Sequence, residues 1–244
     1  SLDKVTEKAL DESDSIYLEC DMKPSPRETE EITKYNTYNS IRDLGLEDKY
    51  ENLMKQYKSL KGKPGYAFYN VFVISSLVIS DPEVLNKANI SKFNAIDNYI
   101  YDYAQKKKNF KEVEGIEFQM KLLTELSGDY SETILDNLAN KEMVIKNAKK
   151  DLDAYYSGNT QYYEDGQNLL INQFKQLNDN DKEKYEKYWN ILLYNRNIHM
   201  KDTLINSINN GKHDFMGIGC KHIYGKKGII QLLKDDGYLV ECMK

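Results

Sequence analysis

The sequence predicts an α/β fold: a small mixed β-sheet core built from the chain ends plus a short central strand, with a large, predominantly helical insertion. Three observations carry this. Apolar runs of strand length fall near the two ends, and a further short strand fits around residue 112. The stretches between them repeat apolar residues at helical spacing, and Asp214–Lys244 reads as strand, glycine-rich loop, helix and strand in succession. A chain of 244 residues can bury roughly 70–75% of its unfolded surface, so one domain over residues 1–244 needs no disulfide support. Its core is expected in 1–23, 111–114 and 214–244, and its helical insertion in 27–108 and 116–210.

Taken in order, Leu2–Glu12 is an amphipathic helix leading into Ser15–Cys20, an apolar strand that delivers Glu19 and Asp21. Pro24 and Pro26 close that unit, because proline ends strands and suits helix starts. Helices then cover residues 27–43, 47–60, 65–79 and 82–88. Tyr66–Ile79, the most apolar stretch, is too short to span a membrane and contains Asn70, Ser75 and Ser76, so it reads as a buried helix. Phe93–Lys107 places Ile96, Ile100, Tyr103 and Ala104 on one stripe, with Lys106–Lys108 as its solvated end. Lys111–Val113 is a short strand ending at Glu114. Further helices fit 116–127, 130–156, 160–176 and 180–210, with Asp129 and Asp179 as N-caps and Gly158 and Gly166 as breaks.

Phe215–Ile218 is the next strand, and Gly217, Gly219, Gly225 and Gly228 allow tight turning after it. His222 therefore sits on a loop at the carboxyl end of a strand, the edge where open α/β sheets collect ligands. Lys226–Asp236 forms a short helix capped by Gly237, and Tyr238–Cys242 resumes a strand.

The charge balance is 34 basic against 39 acidic residues, 34 − 39 = −5, which gives no nucleic-acid footprint. Cys20, Cys220 and Cys242 read as small buried core residues; the odd count argues against a disulfide framework but allows one bridge plus a thiol. Cys220 beside His222 is a weak signal for a Cys/His nucleophile or zinc site, since no paired CxxC accompanies it. The 20 tyrosines suit a peptide groove but equally reflect an Asn/Lys/Tyr/Ile-rich composition throughout the chain. His199, on a helix, and His213, in a turn, read as surface or packing residues.

The C-terminal run resembles the end of TraB/PrgY/GumN (TIKI-like) proteins: an apolar strand, Gly-x-x-His, a further Gly, a helix and a Gly-Tyr-x-Val strand. Here these are Gly219-Cys220-Lys221-His222, Gly225, Gly228 and Gly237-Tyr238-Leu239-Val240. Ser13–Asp21 resembles the family's first acidic strand, with Glu19 at its glutamate. Ile96-Asp97 with Ala104, Val113-Glu114 and Gln119 resembles the central segment, and Arg196-Asn197 the Arg-Asn pair on the last long helix. These stations stand in order over residues 2–243.

The resemblance implies a metal-dependent, peptidase-like hydrolase acting on peptide or secreted protein substrates. The family includes the TIKI proteins, which act on secreted signalling proteins, and bacterial members linked to control of peptide pheromones. By carry-over His222 is a metal ligand, Glu19 a ligand or general base, Glu114 a further ligand, and Arg196 a catalytic and substrate-binding residue with Asn197 and Asp97. The metal implied is Mn²⁺ or Co²⁺ ahead of Zn²⁺, and the setting extracytoplasmic or cell-surface. The family's first Gly-x-x-His, on a strand upstream of the acidic one, has no counterpart here. Truncation, processing or a segment outside this sequence accounts for that, with strand donation in a homodimer as the other solution. The alternative function is a non-catalytic peptide-binding or sequestering protein of the same fold with an incomplete metal site.

Overall fold

Strand β1 (Ser15–Leu18) alternates Ser15 and Tyr17 with Ile16 and Leu18, and this period of two divides the chain's first core into two layers. In a computed structural model, which describes residues 2–90, 96–107, 109–166 and 179–243, β1 lies between β2 (Phe110–Glu112) and β3 (Asp214–Gly217). Both pairings are parallel, with Leu18 opposite Glu112 on one side and Gly217 on the other. All three strands therefore end at one level. The mixed sheet expected from the sequence is, among the described residues, a parallel one.

On one face Ile16 and Leu18 pack with Leu10 of α1 (Lys4–Glu12) and with Ile100, Tyr101 and Ala104 of α6 (Ile96–Lys107), joined by Phe110 and Phe215. On the other, Tyr17 and Met216 lie against Met200, Ile229 and Leu233. Burying helices on both faces is what a parallel sheet requires. Asp3 caps α1 by accepting from the Val5 and Thr6 N–H groups.

The described residues form two compact units, one of Ser1–Lys23, Ala95–Gly115 and Asn159–Lys244, the other of Pro24–Asn94 and Ile116–Gly158. The first holds the sheet. It also holds the helices after Gly158, which the sequence assigns to the insertion, because Met200 is part of the sheet's own core. The second unit is helical, with α2 (Pro26–Thr33), α3 (Glu47–Gln56), α4 (Val71–Ile79), α5 (Pro82–Lys87), α7 (Ile116–Ala139) and α8 (Lys141–Ser157). Its core joins Tyr50, Leu53, Tyr57, Val71, Ile74, Val78 and Leu135.

Several expectations change. Asp129 does not cap a helix, because α7 runs through it; Gly128 serves there as a close approach, where a Cβ would lie 3.0 Å from Asn39 Nδ2. The helix expected over 160–176 is described only to residue 166 and otherwise lies outside the described residues. Tyr238–Cys242 makes no strand. The helix α12 (Ile229–Asp235) ends in Gly237 at φ +87, with Gly237 N–H donating to Lys234 O and Tyr238 N–H to Leu233 O, a Schellman motif. Beyond it Tyr238 and Val240 turn into the core while Leu239 is 85% exposed, so the alternation that suggested a strand belongs to an extended tail without a ladder partner. No described helix is long and apolar enough to cross a membrane. Finally, β1 already has a neighbour on each edge, so any additional strand would join at an outer edge of β2 or β3, not at the centre.

Candidate functional site

The level ending of the three strands brings Glu19, Glu114 and Gly219 to one edge. After Leu18 the Glu19 carbonyl accepts from the Glu114 N–H at 3.0 Å and the Gly115 N–H at 3.2 Å, a turn that Gly115 enters at φ +86. Such a left-handed backbone favours glycine. Glu19 Oε1 accepts from the Gly219 N–H at 2.8 Å, which ties the end of β1 to the chain leaving β3.

Arg196 reaches this edge from α10 (Asn195–Asn209). The helix α9 (Asp179–Trp189) continues through a π-helical turn, Asn190–Tyr194, in which the Asn195 N–H donates five residues back to Asn190 O. Such a turn shifts the phase of the residues that follow, and here Arg196 and Asn197 both face inward. Arg196 Nη1 donates to Leu192 O at 3.0 Å within that turn. Its Nε and Nη2 donate to the two Glu114 oxygens at 2.8 and 2.7 Å, and Nη2 also to Glu19 Oε2 at 2.7 Å. The Glu114 side chain is 1% exposed and that of Glu19 25%. This is a forked, charge-assisted pairing in which one guanidinium holds two carboxylates.

His222 lies beside them, not on the open loop expected from the sequence but on a single buried turn, α11 (Cys220–Ile223), whose His222 N–H donates to Gly219 O. Its Nδ1 lies 2.6 Å from Asn197 Oδ1, and its Nε2 lies 4.0 Å from Glu19 Oε1. Asn197 Nδ2 donates to Lys227 O at 2.7 Å. Burial, more than any neighbour, lowers the His222 pKa; Arg196 adds to this while Glu19 and Glu114 oppose it. Asp97, in the first turn of α6, has its carboxyl raised by burial and then by the Glu19 charge.

The structure thus brings Glu19, Glu114, Arg196, Asn197 and His222 together, with Asp97 within reach of the Glu19 field. Three of the assigned residues, Asn197, Glu114 and Arg196, are held by protein partners in this geometry. Asn197 is fully buried, so it makes no substrate contact; its amide holds His222. Both Glu114 oxygens accept from Arg196, and Arg196, 9% exposed, is directed at two carboxylates and a carbonyl. Sequence reading missed the Gly219 N–H and the Lys227 carbonyl, because a backbone group leaves no residue signature; the glycines around them were the available signal.

The remaining cysteine and histidine expectations resolve simply. The three cysteines are free, Cys20 and Cys220 partly buried and Cys242 exposed. Burial, followed by Glu19, Glu112, Glu114 and Asp21, pushes the Cys20 thiol up to about 12, which makes it a poor nucleophile. His199 is an exposed helix residue bonded through Nε2 to Val113 O, and His213 is exposed with its N–H on Asp14 Oδ2.

No curated protein and no solved structure matches the chain. The profile of the TraB/PrgY/gumN family matches residues 1–242. With the match covering essentially its whole length, the chain belongs to the TraB/PrgY/gumN family.

Proposed function

We propose that this protein is a metal-dependent, peptidase-like hydrolase acting on peptide or secreted protein substrates, peptide pheromones among them, outside the cytoplasm or at the cell surface. The observation that carries the reading is the facing pair of His222 Nε2 and Glu19 Oε1, 4.0 Å apart at the carboxyl edge of a parallel sheet and each held from behind. An imidazole nitrogen and a carboxylate oxygen suit Mn²⁺, Co²⁺ or Zn²⁺. The donor set fits as a partial one: among the described residues no group of three or more His, Cys, Asp or Glu side chains is arranged to hold an ion. His222 and Glu19 would hold the metal, with its other positions left to water, substrate or further donors.

Bound there, a divalent cation supplies a polarised scissile carbonyl and a more acidic water. The chain's own residues do the rest. Arg196 holds one Glu19 oxygen in place and the Gly219 N–H fixes the other, so the Glu19 carboxylate is positioned to act as the base toward water. Asp97, raised toward its neutral form beside Glu19, is the remaining candidate for a polar contact with substrate.

The partial donor set favours a second reading, a peptide-sequestering protein that binds without cleaving. Mass spectrometry of candidate peptides incubated with the protein and Mn²⁺ or Co²⁺ separates the two. Fragments that vanish with His222→Ala and Glu19→Gln are expected. Retention without cleavage under either metal would leave sequestration as the function, and calorimetric metal affinity unchanged in both variants would remove the metal assignment. The homodimer expected from sequence is tested by sedimentation of the same sample.

A further inference from the structure

Asn197 Nδ2 donates to the Lys227 carbonyl at 2.7 Å, and a carbonyl can only accept. The orientation of the Asn197 amide is therefore decided by the backbone: its nitrogen faces Lys227 and its oxygen faces His222. A fully buried side chain has no room or solvent for the flipped alternative, which would set an amide oxygen against a carbonyl oxygen. With Oδ1 presented at 2.6 Å, the His222 Nδ1 must be the protonated ring nitrogen. Nε2 is then bare. Its nearest charged neighbour, Glu19 Oε1, lies 4.0 Å away, too far for a hydrogen bond, so a proton on Nε2 would find no partner there.

What fixes the Lys227 carbonyl is the glycine loop. The Gly228 N–H donates to Gly225 O at 2.9 Å, and a Cβ on Gly228 would lie 2.4 Å from Tyr224 O and 2.6 Å from Ile223 O. Those are backbone atoms, so no side chain rotation relieves the clash. From the other end, the Lys227 ammonium lies 4.1 Å from the centre of the Tyr194 ring, which is two residues from Arg196 on the same helical run. The loop and the π-turned helix are thus joined on either side of the histidine.

We propose that Asn197 is a positioning residue that locks His222 as the Nδ1–H tautomer, and that the close packing of Gly228 sets the lock by placing the Lys227 carbonyl. The bare Nε2 is then the single lone pair this imidazole offers at the sheet edge. The tautomer stands on hydrogen bonds alone. Its consequence for metal affinity rests on the hydrolase reading.

Long-range ¹H–¹⁵N correlation spectra of the metal-free, full chain at about pH 8, above the ordinary imidazole pKa, read the tautomer directly. The wild type is expected to show a protonated Nδ1 and a bare Nε2 at His222; the reverse overturns the proposal without any variant. Asn197→Leu removes the acceptor and is expected to lose this preference. Gly228→Ala should disturb the tautomer although Asn197 is intact. An unchanged Nδ1–H in Asn197→Leu would refute the role of Asn197, and an unchanged one in Gly228→Ala the role of the loop. Titration calorimetry with Mn²⁺ alone is expected to show Asn197→Leu weakened by about 10–100-fold, the usual effect of losing a ligand's hydrogen-bond partner. Failure of the wild type to bind Mn²⁺ while its spectrum shows the bare Nε2 would sink the metal reading and support the tautomer.

Discussion

Replacing Arg196 by Met is the most informative single perturbation of this protein. The guanidinium makes two hydrogen bonds to Glu114, whose side chain is 1% exposed, and one to Glu19, whose side chain is 25% exposed. Its removal leaves two carboxylates without their cation, one of them out of contact with water. Breaking a buried pair from one side costs about 3–5 kcal/mol, a large share of the roughly 5–15 kcal/mol that stabilises a domain. Glu114→Gln, by contrast, keeps the shape and leaves Arg196 paired with Glu19, so its loss should be nearer 1–3 kcal/mol. The double replacement Arg196→Met/Glu114→Met removes both charges together and should be less destabilised than Arg196→Met alone, because a buried pair exchanged for apolar side chains of similar volume is close to neutral. Urea unfolding followed by circular dichroism measures all three. A loss under about 1 kcal/mol in Arg196→Met, or simple additivity in the double variant, would refute the view that Arg196 is the counter-charge of this edge.

Other outcomes follow from single contacts. Tyr57→Phe should destabilise by about 1–3 kcal/mol in urea unfolding, because its hydroxyl donates at 2.6 Å to the Leu138 carbonyl inside the helical unit and leaves that acceptor unpaired. The His222 pKa is lowered in the folded state, so its stabilising contribution is complete above the ordinary imidazole value of 6.5 and is lost as pH falls through the folded value. Unfolding curves across that range should fall less steeply in His222→Gln. For Asp97 the sign reverses: its pKa is raised, so its contribution is complete below the ordinary aspartate value of 3.8 and is lost as pH rises through the folded value. Asp97→Asn should therefore gain stability at neutral pH relative to wild type, and show no such gain in strong acid. Alkylation with iodoacetamide under native conditions, read by peptide mass spectrometry, should label exposed Cys242 well before Cys20, whose thiol is pushed up to about 12.

The parts of the molecule governed by local periodicity were legible in the sequence. Ile16 and Leu18 on one face with Tyr17 on the other, and the four leucine and isoleucine residues of the C-terminal helix before Gly237, follow from chain geometry within a few residues. His222 was reachable from its place on a glycine-rich loop after a strand, and Glu19 and Arg196 through the motifs of the family the chain resembles. Their partners were not. Arg196 and Glu114 are 82 positions apart and Arg196 and Glu19 177, so no local pattern announces that one guanidinium holds both carboxylates. The π turn at Asn190–Tyr194 escaped for a related reason: it changes helical phase without a proline or glycine to mark it. The substrate role of Asn197 came from the family's Arg-Asn pair, and its burial and its contact with His222 are visible only in the fold.

The charge of the buried edge bears on which function this site performs. Arg196 contributes one positive charge and Glu19 and Glu114 one negative charge each, so with His222 neutral the three sum to −1. A proton on His222 would cancel that, but burial holds the imidazole toward its neutral form. Within these three side chains the formal charge is therefore −1 near the place where Nε2 and Oε1 face each other. A cation held by His222 and Glu19 would offset that charge and lie at the ligand-collecting end of the sheet. The same count makes Glu19→Gln the sharper test of the two ligand variants: it lowers the negative charge and the donor strength together, so a fall in metal affinity there traces to Glu19 itself and not to a collapse of the Arg196–Glu114 pair, which it leaves intact.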